Sequence, residues 1–134
     1  MTLHDALRES LRSVPDGVAA GYIDLATGSL LSVCAEDEKP QEFLNILASA
    51  VTELFEAPLF KVLDQIWSKD FTKDDLEKDA LREVLLLGDQ HITLLRRCEK
   101  NTKHAVVYVA RNRTSPGVLI MQVRNQLPSV EAAT

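Results

Sequence analysis

Two segments of this chain are almost entirely apolar, and they restrict the folds that it can adopt. Residues 18–25 (VAAGYIDL) and 105–110 (AVVYVA) are short and are bounded by turn residues. Segments of this kind are typical of β-strands that are buried on both faces. Because a sheet with such strands needs other layers on both sides, we expect the two strands to lie side by side at its centre, between helices.

A short polar interruption follows the first of these strands. Residues 24–28 (DLATG) separate it from a second apolar run at residues 30–35. Gly28 gives the backbone freedom that a tight turn needs, and the side chains of Asp24 and Thr27 can hydrogen-bond to nearby amides. No cluster of glycines or basic residues accompanies the interruption to hold a phosphate. We therefore interpret it as the corner of an antiparallel β-hairpin and not as a binding site.

Apolar residues at helical spacing predict helices around the sheet. The first helix follows Thr2, which is a suitable N-cap residue. A long middle helix ends near Pro58, because proline lacks the amide proton of the helical ladder, and residues 60–67 indicate a further helical turn or two. The last helix begins after Ser115 and ends at Pro128. The apolar positions of the long helix are Phe43, Leu47, Ala50, Val51, Leu54 and Phe55.

Three short apolar runs in the second half of the chain predict a meander of strands. They are residues 83–88, 92–98 and 105–110. The two most uniformly apolar strands take the centre of the sheet, which leaves residues 30–35 and Glu83–Leu87 at its edges. The predicted fold is α/β, of the α+β type: a five-stranded antiparallel sheet of order 2-1-5-4-3, with two helices on one face and one long helix on the other. We expect residues 1–134 to form a single domain.

Three stretches of the sequence together resemble one known family. Residues 14–33 (VPDGVAAGYIDLATGSLLSV) look like its opening hairpin, residues 83–98 like its middle hairpin, and residues 104–127 like its last strand and helix. On these stretches the chain resembles the roadblock/LC7 family of dynein light chains and of bacterial and archaeal partners of Ras-like GTPases. An atypical insertion at about residues 58–82 departs from the family pattern. The resemblance implies a profilin-like sandwich that acts as a non-enzymatic, homodimeric interaction module, with a small Ras-like GTPase as the candidate partner.

The charge and apolar patterns argue against several classes of partner. The formal net charge of −5 disfavours binding to nucleic acid or to an anionic lipid surface. No segment has the apolar length of a membrane span, and the N-terminus does not resemble a secretory signal. Cys34 and Cys98 lie in apolar strands, which favours buried, reduced thiols. We therefore expect a cytoplasmic protein without membrane insertion.

A charged run after the long helix has the alternating spacing of calcium ligands. Asp70, Thr72 and Asp74 would occupy such positions. A calcium-binding EF-hand loop, however, needs glycine at its sixth position and glutamate at its twelfth. Asp75 and Leu81 stand at these two positions, so we predict no calcium site.

Other candidate catalytic or metal-binding residues are scattered. His4, His91 and His104 do not form a pair with zinc-ligand spacing within one element. Cys98 follows two arginines, which would favour a reactive thiolate, but its apolar strand favours a packed thiol. The sequence lacks the G-x-S-x-G, phosphate-loop and G-x-G-x-x-G patterns. We therefore predict no metal, cofactor or catalytic site, and no enzyme activity.

The predicted edge strand Glu83–Leu87 is the part of the sheet that most needs a partner. An apolar edge has to be paired, covered or blunted, because its free backbone groups promote association. Pairing with the same strand of a second copy would close a dimer, and the broad stripe of the long helix would pack across the same interface. The alternative is that residues 60–67 fold over this edge within one chain. The predicted interface residues are Leu47, Val51, Leu54, Val84, Leu85 and Leu86.

Two functions remain open from the sequence. The leading hypothesis is a dimeric cytoplasmic scaffold or regulator that binds another protein. The alternative is a small-molecule-sensing domain of the profilin or sensor type, with a cavity between the sheet and the long helix near Phe43 and Trp67. An enzyme is a distant third hypothesis, which rests on Cys98 and the arginines that precede it.

Overall fold

The computed structural model describes residues 1–55, 57–68, 70, 72 and 81–134. The elements in chain order are α1 (Leu3–Arg12), β1 (Gly17–Asp24), β2 (Ser29–Ala35), α2 (Glu38–Phe55), α3 (Pro58–Trp67), β3 (Glu83–Leu87), β4 (His91–Arg97), β5 (His104–Arg111) and α4 (Pro116–Ala132). These five strands form one antiparallel sheet in the order β2-β1-β5-β4-β3. The predicted fold class, strand order and strand directions are therefore confirmed.

The two central strands separate two apolar cores. β1 and β5 are buried along nearly their whole length, as their apolar sequences predict. On one face of the sheet, Tyr22 and Tyr108 pack with Leu7 of α1 and Leu119 of α4. On the other face, α2 packs against Val107 and its neighbours. The predicted placement of the first and last helices on one face, and of the long helix on the other, is confirmed.

The interruption between β1 and β2 is a hairpin corner, as predicted. Gly28 has a φ of +72°, a conformation that is costly for residues with a side chain. Its amide donates to the carbonyl oxygen of Asp24 at 2.8 Å. The Asp24 carboxylate accepts from the amide of Ala26 at 2.9 Å, and the Thr27 hydroxyl accepts from the amide of Ser29 at 3.3 Å. These local bonds satisfy the polar groups of the turn, so the corner needs no ligand.

The helix ends follow from capping residues and prolines. The Thr2 hydroxyl accepts from the amide of Asp5 at 3.1 Å, which confirms the predicted N-cap of α1. α2 ends at Phe55, and Pro58 occupies the first turn of α3, where its missing amide proton costs nothing. The further helical segment expected after Pro58 is thus present as α3.

The last helix does not stop at the proline where we predicted its end. α4 continues through Pro128 to Ala132. A proline inside a helix removes one hydrogen bond of the ladder, but the residues beyond it are held by tertiary contacts. Val130 is buried in the core, and the Glu131 carboxylate accepts from the amide of Lys100 at 2.8 Å. Packing of the final turn therefore outweighs the local effect of Pro128.

α2 carries the broad apolar stripe that was predicted, and the structure divides it into a face towards the sheet and a face towards solvent. The side chains that face the sheet are Leu44, Ala48, Val51 and Phe55. The outward face carries Phe43, Ile46 and Ala50 as exposed residues, with Leu47 and Leu54 partly buried at its border. At roughly 100° per residue, the centres of the two faces lie about 110° apart around the helix. One face covers the sheet, and the other is left towards solvent.

Candidate protein-interaction surface

Helices α2 and α3 and strand β3 each expose two or more large apolar side chains. Ile46 of α2 is 73% exposed, Trp67 of α3 is 76% exposed, and Leu87 of β3 is 68% exposed. Single exposed apolar residues are normal, but groups of them mark interaction sites. We call this group the outer apolar surface; its members are Phe43, Ile46, Leu59, Val62, Leu63, Ile66, Trp67, Leu86 and Leu87.

The second face of α2 and the edge strand β3 lie at the border of the same core. Leu47 and Leu54 of α2 and Val84 of β3 all pack, partly buried, against the core that α2 covers. Side chains alternate between the two faces of a strand, and Leu85 accordingly packs against the opposite core.

The edge of the sheet at β3 is open in the part of the chain that the structure describes. Every residue of β3 pairs with β4, from Glu83 opposite Arg96 to Leu87 opposite Ile92. Its other side has no described strand beside it. Helix α3, which could have folded over this edge, leaves its own Trp67 largely exposed. The described residues therefore do not support covering of β3 from within the chain.

The six interface residues predicted from the sequence lie in different environments. Leu86 is 41% exposed and belongs to the outer apolar surface. Leu47, Leu54, Val84 and Leu85 are partly buried. Val51 is only 1% exposed, so it anchors α2 to the sheet and is not accessible to a partner.

Most of the exposed apolar residues were not predicted from the sequence as part of an interface. α3 carries five of them at i, i+3, i+4, i+7 and i+8 spacing, which defines one face of a helix. That periodic signal was present in the sequence and could have located the face. The residues are Leu59, Val62, Leu63, Ile66 and Trp67.

A buried arginine fixes the end of α2 relative to the strands. The Arg97 guanidinium donates to the carbonyl oxygens of Phe55 at 3.1 Å, Leu81 at 2.7 Å and Thr102 at 2.6 Å. It also lies 5.0 Å from the centre of the Phe55 ring, within the range of a cation–π contact. Arg97 thereby links the last turn of α2, the segment before β3 and the β4–β5 turn. It positions the two elements that carry the predicted interface.

Ion pairs on the other face of the sheet hold β3 from a second side. Arg124 of α4 donates to both carboxylate oxygens of Glu83, at 2.6 and 3.2 Å. This contact raises the pKa of Arg124 above its usual value. Arg96 lies 3.8 Å from the same carboxylate and 2.7 Å from that of Glu99. The start of β3 is thus fixed, whereas Leu86 and Leu87 at its end are free to contact a partner.

The two cysteines, of which Cys98 was the candidate nucleophile, are packed inside the protein. Cys34 and Cys98 are both buried and free in the structure. Burial raises the pKa of the Cys98 thiol to about 12, so it is protonated at neutral pH. Its Sγ contacts the Tyr22 hydroxyl at 3.7 Å, and that hydroxyl hydrogen-bonds to Nδ1 of His104 at 2.8 Å. A neutral, packed thiol is a poor nucleophile.

Within the described ranges, no three His, Cys, Asp or Glu side chains are placed to hold a metal ion. Asp70 and Thr72 of the calcium hypothesis are exposed, whereas Asp74 and Asp75 lie outside the described residues. Phe43 and Trp67, near which we expected a ligand cavity, are both exposed side chains. None of the described helices is long and apolar enough to cross a membrane.

Comparison with known proteins identifies the fold. No family model matches the sequence, and no curated protein matches it either. A roadblock/LC7 domain from Streptomyces avermitilis superposes with a TM-score of 0.70 at 16% identity, covering 98% of this chain and 97% of that one. The chain has the roadblock/LC7 fold.

Two further solved structures share the roadblock/LC7 fold. The gliding protein MglB from Thermus thermophilus matches with a TM-score of 0.72 and 17% identity, covering 98% of this chain and 87% of its own. An MglB in a tetrameric arrangement matches with a TM-score of 0.69 and 18% identity, covering 98% and 90%. At 16–18% identity, these comparisons show a shared fold. They do not show that the related proteins share the outer apolar surface of this chain.

Proposed function

We propose that the chain is a cytoplasmic, single-domain, non-enzymatic module that forms a homodimer and binds another protein as a scaffold or regulator. The observation that carries the proposal is the exposed apolar edge at β3, together with apolar residues of α2 and β3 that border the same core. An edge strand left open promotes association, and an apolar helix face beside it adds area that a partner can bury. The predicted interface residues Leu47, Leu54, Val84, Leu85 and Leu86 lie in or next to this region, and Val51 supports α2 from beneath.

The proposed dimer has two-fold symmetry. Antiparallel pairing of β3 with the β3 strand of a second copy continues the sheet across both chains, and the outward faces of the two α2 helices meet over the junction. Such an interface is isologous and closes at two copies. Oligomeric assembly in the MglB with a tetrameric arrangement supports self-association of this fold.

A small Ras-like GTPase is the proposed protein partner. The resemblance of residues 14–33, 83–98 and 104–127 to roadblock/LC7 sequences supports this choice, as does the shared fold. Helix α3 is available for this contact, because its apolar side chains are exposed. Affinity capture with purified small GTPases in their GDP and GTP-analogue forms tests the proposal, and failure of both forms to bind would contradict it.

Light scattering coupled to size-exclusion chromatography tests the dimer. We expect the wild-type chain to elute at micromolar concentration with twice its 14.9 kDa mass. Leu86→Arg places a charge in the paired edge and should give a monomer, because a buried unpaired charge is costly. Leu31→Arg is the matched control, since Leu31 is a half-exposed leucine in the strand at the opposite edge. A monomeric wild type, or dissociation by both variants alike, would refute the interface.

A further inference from the structure

A groove runs along the edge of the sheet opposite to β3. It has a volume of about 630 Å³ and lies between α1 and the edge strand β2. Arg8 and Arg12 of α1, Val33 and Ala35 of β2, and Glu36 are among the residues that line it. We call it the β2 groove. A volume of this size is typical of sites that bind ligands.

The backbone of β2 presents free hydrogen-bonding groups to this groove. The amide of Glu36 donates to the carbonyl oxygen of Val18 at 2.9 Å, so this pair is of the hydrogen-bonded type. Hydrogen-bonded and non-bonded pairs alternate along an antiparallel ladder. The backbone groups of Val33 and Ala35 therefore point away from β1, and no other described segment pairs with them. They form a short open edge to which another strand can add.

The open segment is limited at its hairpin end. The register of the β1–β2 pair shifts between Tyr22 and Ile23, so that Leu31 is an extra residue in β2. Such a bulge twists an edge strand and blunts its pairing. Residues 32–35 are therefore the part of the edge that remains straight enough to accept a peptide, and they are the part next to the groove.

The charge of the groove is positive although the molecule is negative. Its two carboxylates are already paired: Glu36 with Arg111 at 2.7 Å and Asp16 with Arg113 at 3.1 Å. By contrast, the Arg8 guanidinium contacts Nε2 of His4 at 2.9 Å. Among the described residues, no carboxylate lies within ion-pair distance of Arg8 or of Arg12. Asp5 of the same helix interacts electrostatically with Arg8, but without an ion pair. In a chain with a formal net charge of −5, both cations therefore remain able to bind an external anion.

We propose that the β2 groove binds an extended acidic peptide, which adds to β2 as a further strand and places carboxylates against Arg8 and Arg12. The two arginines are one helical turn apart, a rise of about 6 Å, and alternate residues of a strand are about 6.7 Å apart. Acidic residues at every second position therefore match the spacing of the two cations. Backbone bonds to Val33 and Ala35 supply affinity, and charge-assisted bonds to the arginines supply selectivity.

This site is separate from the proposed dimer interface. β2 and β3 are at opposite edges of the sheet, so pairing at one edge leaves the other open. Binding to the groove does not depend on the proposed function.

Fluorescence anisotropy with a labelled hexapeptide of alternating Glu and Val tests this proposal. The measurements are made at 0.15 M salt, where charges more than about 8 Å apart are largely screened, so that the local arginines dominate over the net charge. We expect the peptide to bind the wild-type chain, and Arg8→Glu or Arg12→Glu to weaken it at least tenfold. Arg82→Glu is the matched control, because Arg82 is exposed near the opposite edge of the sheet, and its effect should be less than twofold.

Two peptide controls separate strand addition from simple attraction of anions. A Lys–Val peptide should not bind, because it repels the arginines. Two further Glu–Val peptides are methylated on backbone nitrogens, the first at its Glu residues and the second at its Val residues. Because only alternate residues of an added strand donate to β2, at least one of these two peptides should lose binding. In NMR spectra of the wild-type chain, the backbone amide resonances of Val33 and Ala35 should shift when the unmodified Glu–Val peptide is added.

Several outcomes would overturn the proposal. They are no binding of the Glu–Val peptide, equal binding of the Lys–Val peptide, and equal binding of both methylated peptides. An unchanged affinity in the folded Arg8→Glu and Arg12→Glu variants would overturn it as well. Far-ultraviolet circular dichroism establishes that the variants are folded. The NMR shifts of the Val33 and Ala35 amides are measured on the wild-type chain and therefore do not depend on the folding of any variant.

Discussion

Replacement of the buried Arg97 should destabilise the protein more than replacement of any exposed arginine. Arg97→Met keeps most of the side-chain volume but removes the three donors that bind Phe55, Leu81 and Thr102. Thr102 is exposed, so water can satisfy its carbonyl oxygen after the change. The carbonyl oxygens of Phe55 and Leu81 belong to buried residues, and each unsatisfied buried group costs about 1–3 kcal/mol.

The expected loss of unfolding free energy is about 3 kcal/mol. Two orphaned carbonyls account for roughly 2–6 kcal/mol, and relief of the cost of burying a guanidinium offsets part of that. Arg97→Lys keeps the charge but reaches fewer acceptors, so its loss should lie between the wild type and Arg97→Met. Arg113→Leu serves as the exposed control. Its pair with Asp16 is at the surface, and its loss should cost at most about 1 kcal/mol.

Urea denaturation followed by circular dichroism measures these differences. All variants are compared at one protomer concentration, because the stability of a dimer depends on concentration. The order of stability should be wild type, Arg97→Lys, Arg97→Met, with Arg113→Leu close to the wild type. If Arg97→Met costs no more than Arg113→Leu, Arg97 does not hold α2 and the segment before β3 together. The same variant should also weaken the proposed dimer, because the last turn of α2 loses its anchor.

Two further predictions concern the hairpin corner and the buried thiol. Gly28→Ala should lower the unfolding free energy by about 1–2 kcal/mol because φ is positive there, whereas Gly117→Ala in the first turn of α4 should not lower it; equal effects in urea denaturation would contradict the role of Gly28. Cys98 has its pKa raised by burial from 9.0 to about 12, so the folded state retains a proton that the unfolded state loses above pH 9. The wild type should therefore lose stability relative to Cys98→Ala between pH 9 and 12, by up to about 1.4 kcal/mol per pH unit, and parallel pH profiles would contradict this.

The sheet could be predicted because the apolar composition of each strand indicates how deeply it is buried. β1 and β5 are apolar at nearly every position, which forces them to the centre and places α1 and α4 on one face and α2 on the other. The corner at Gly28 was equally local, because one glycine and two short polar side chains satisfy it. Local patterns sufficed wherever neighbouring residues decide the structure.

The remaining features depend on contacts between distant segments. Periodicity marked the apolar residues of α2 but not which of its two apolar faces meets the sheet. Pro128 does not end α4, although proline usually ends a helix, because Val130 beyond it is buried in the core. Arg97 finds its three acceptors in three separate segments, and the β2 groove joins α1 to the far end of the first hairpin. Periodicity and turn residues along the chain do not indicate which distant segments come into contact.

The pairing of β1 with β5 has a consequence for the speed of folding. Asp24 pairs with His104 and Gly17 with Ala110, so the central ladder closes a loop of roughly 80 residues or more, whose entropy must be lost before the ladder forms. Contacts of such long sequence separation slow folding. We expect the local β1–β2 hairpin and β3–β4–β5 meander to form readily, and the docking of these two units to be the slow step. Because loop entropy grows only logarithmically, changes in the length of the segment between α3 and β3 alter that step little.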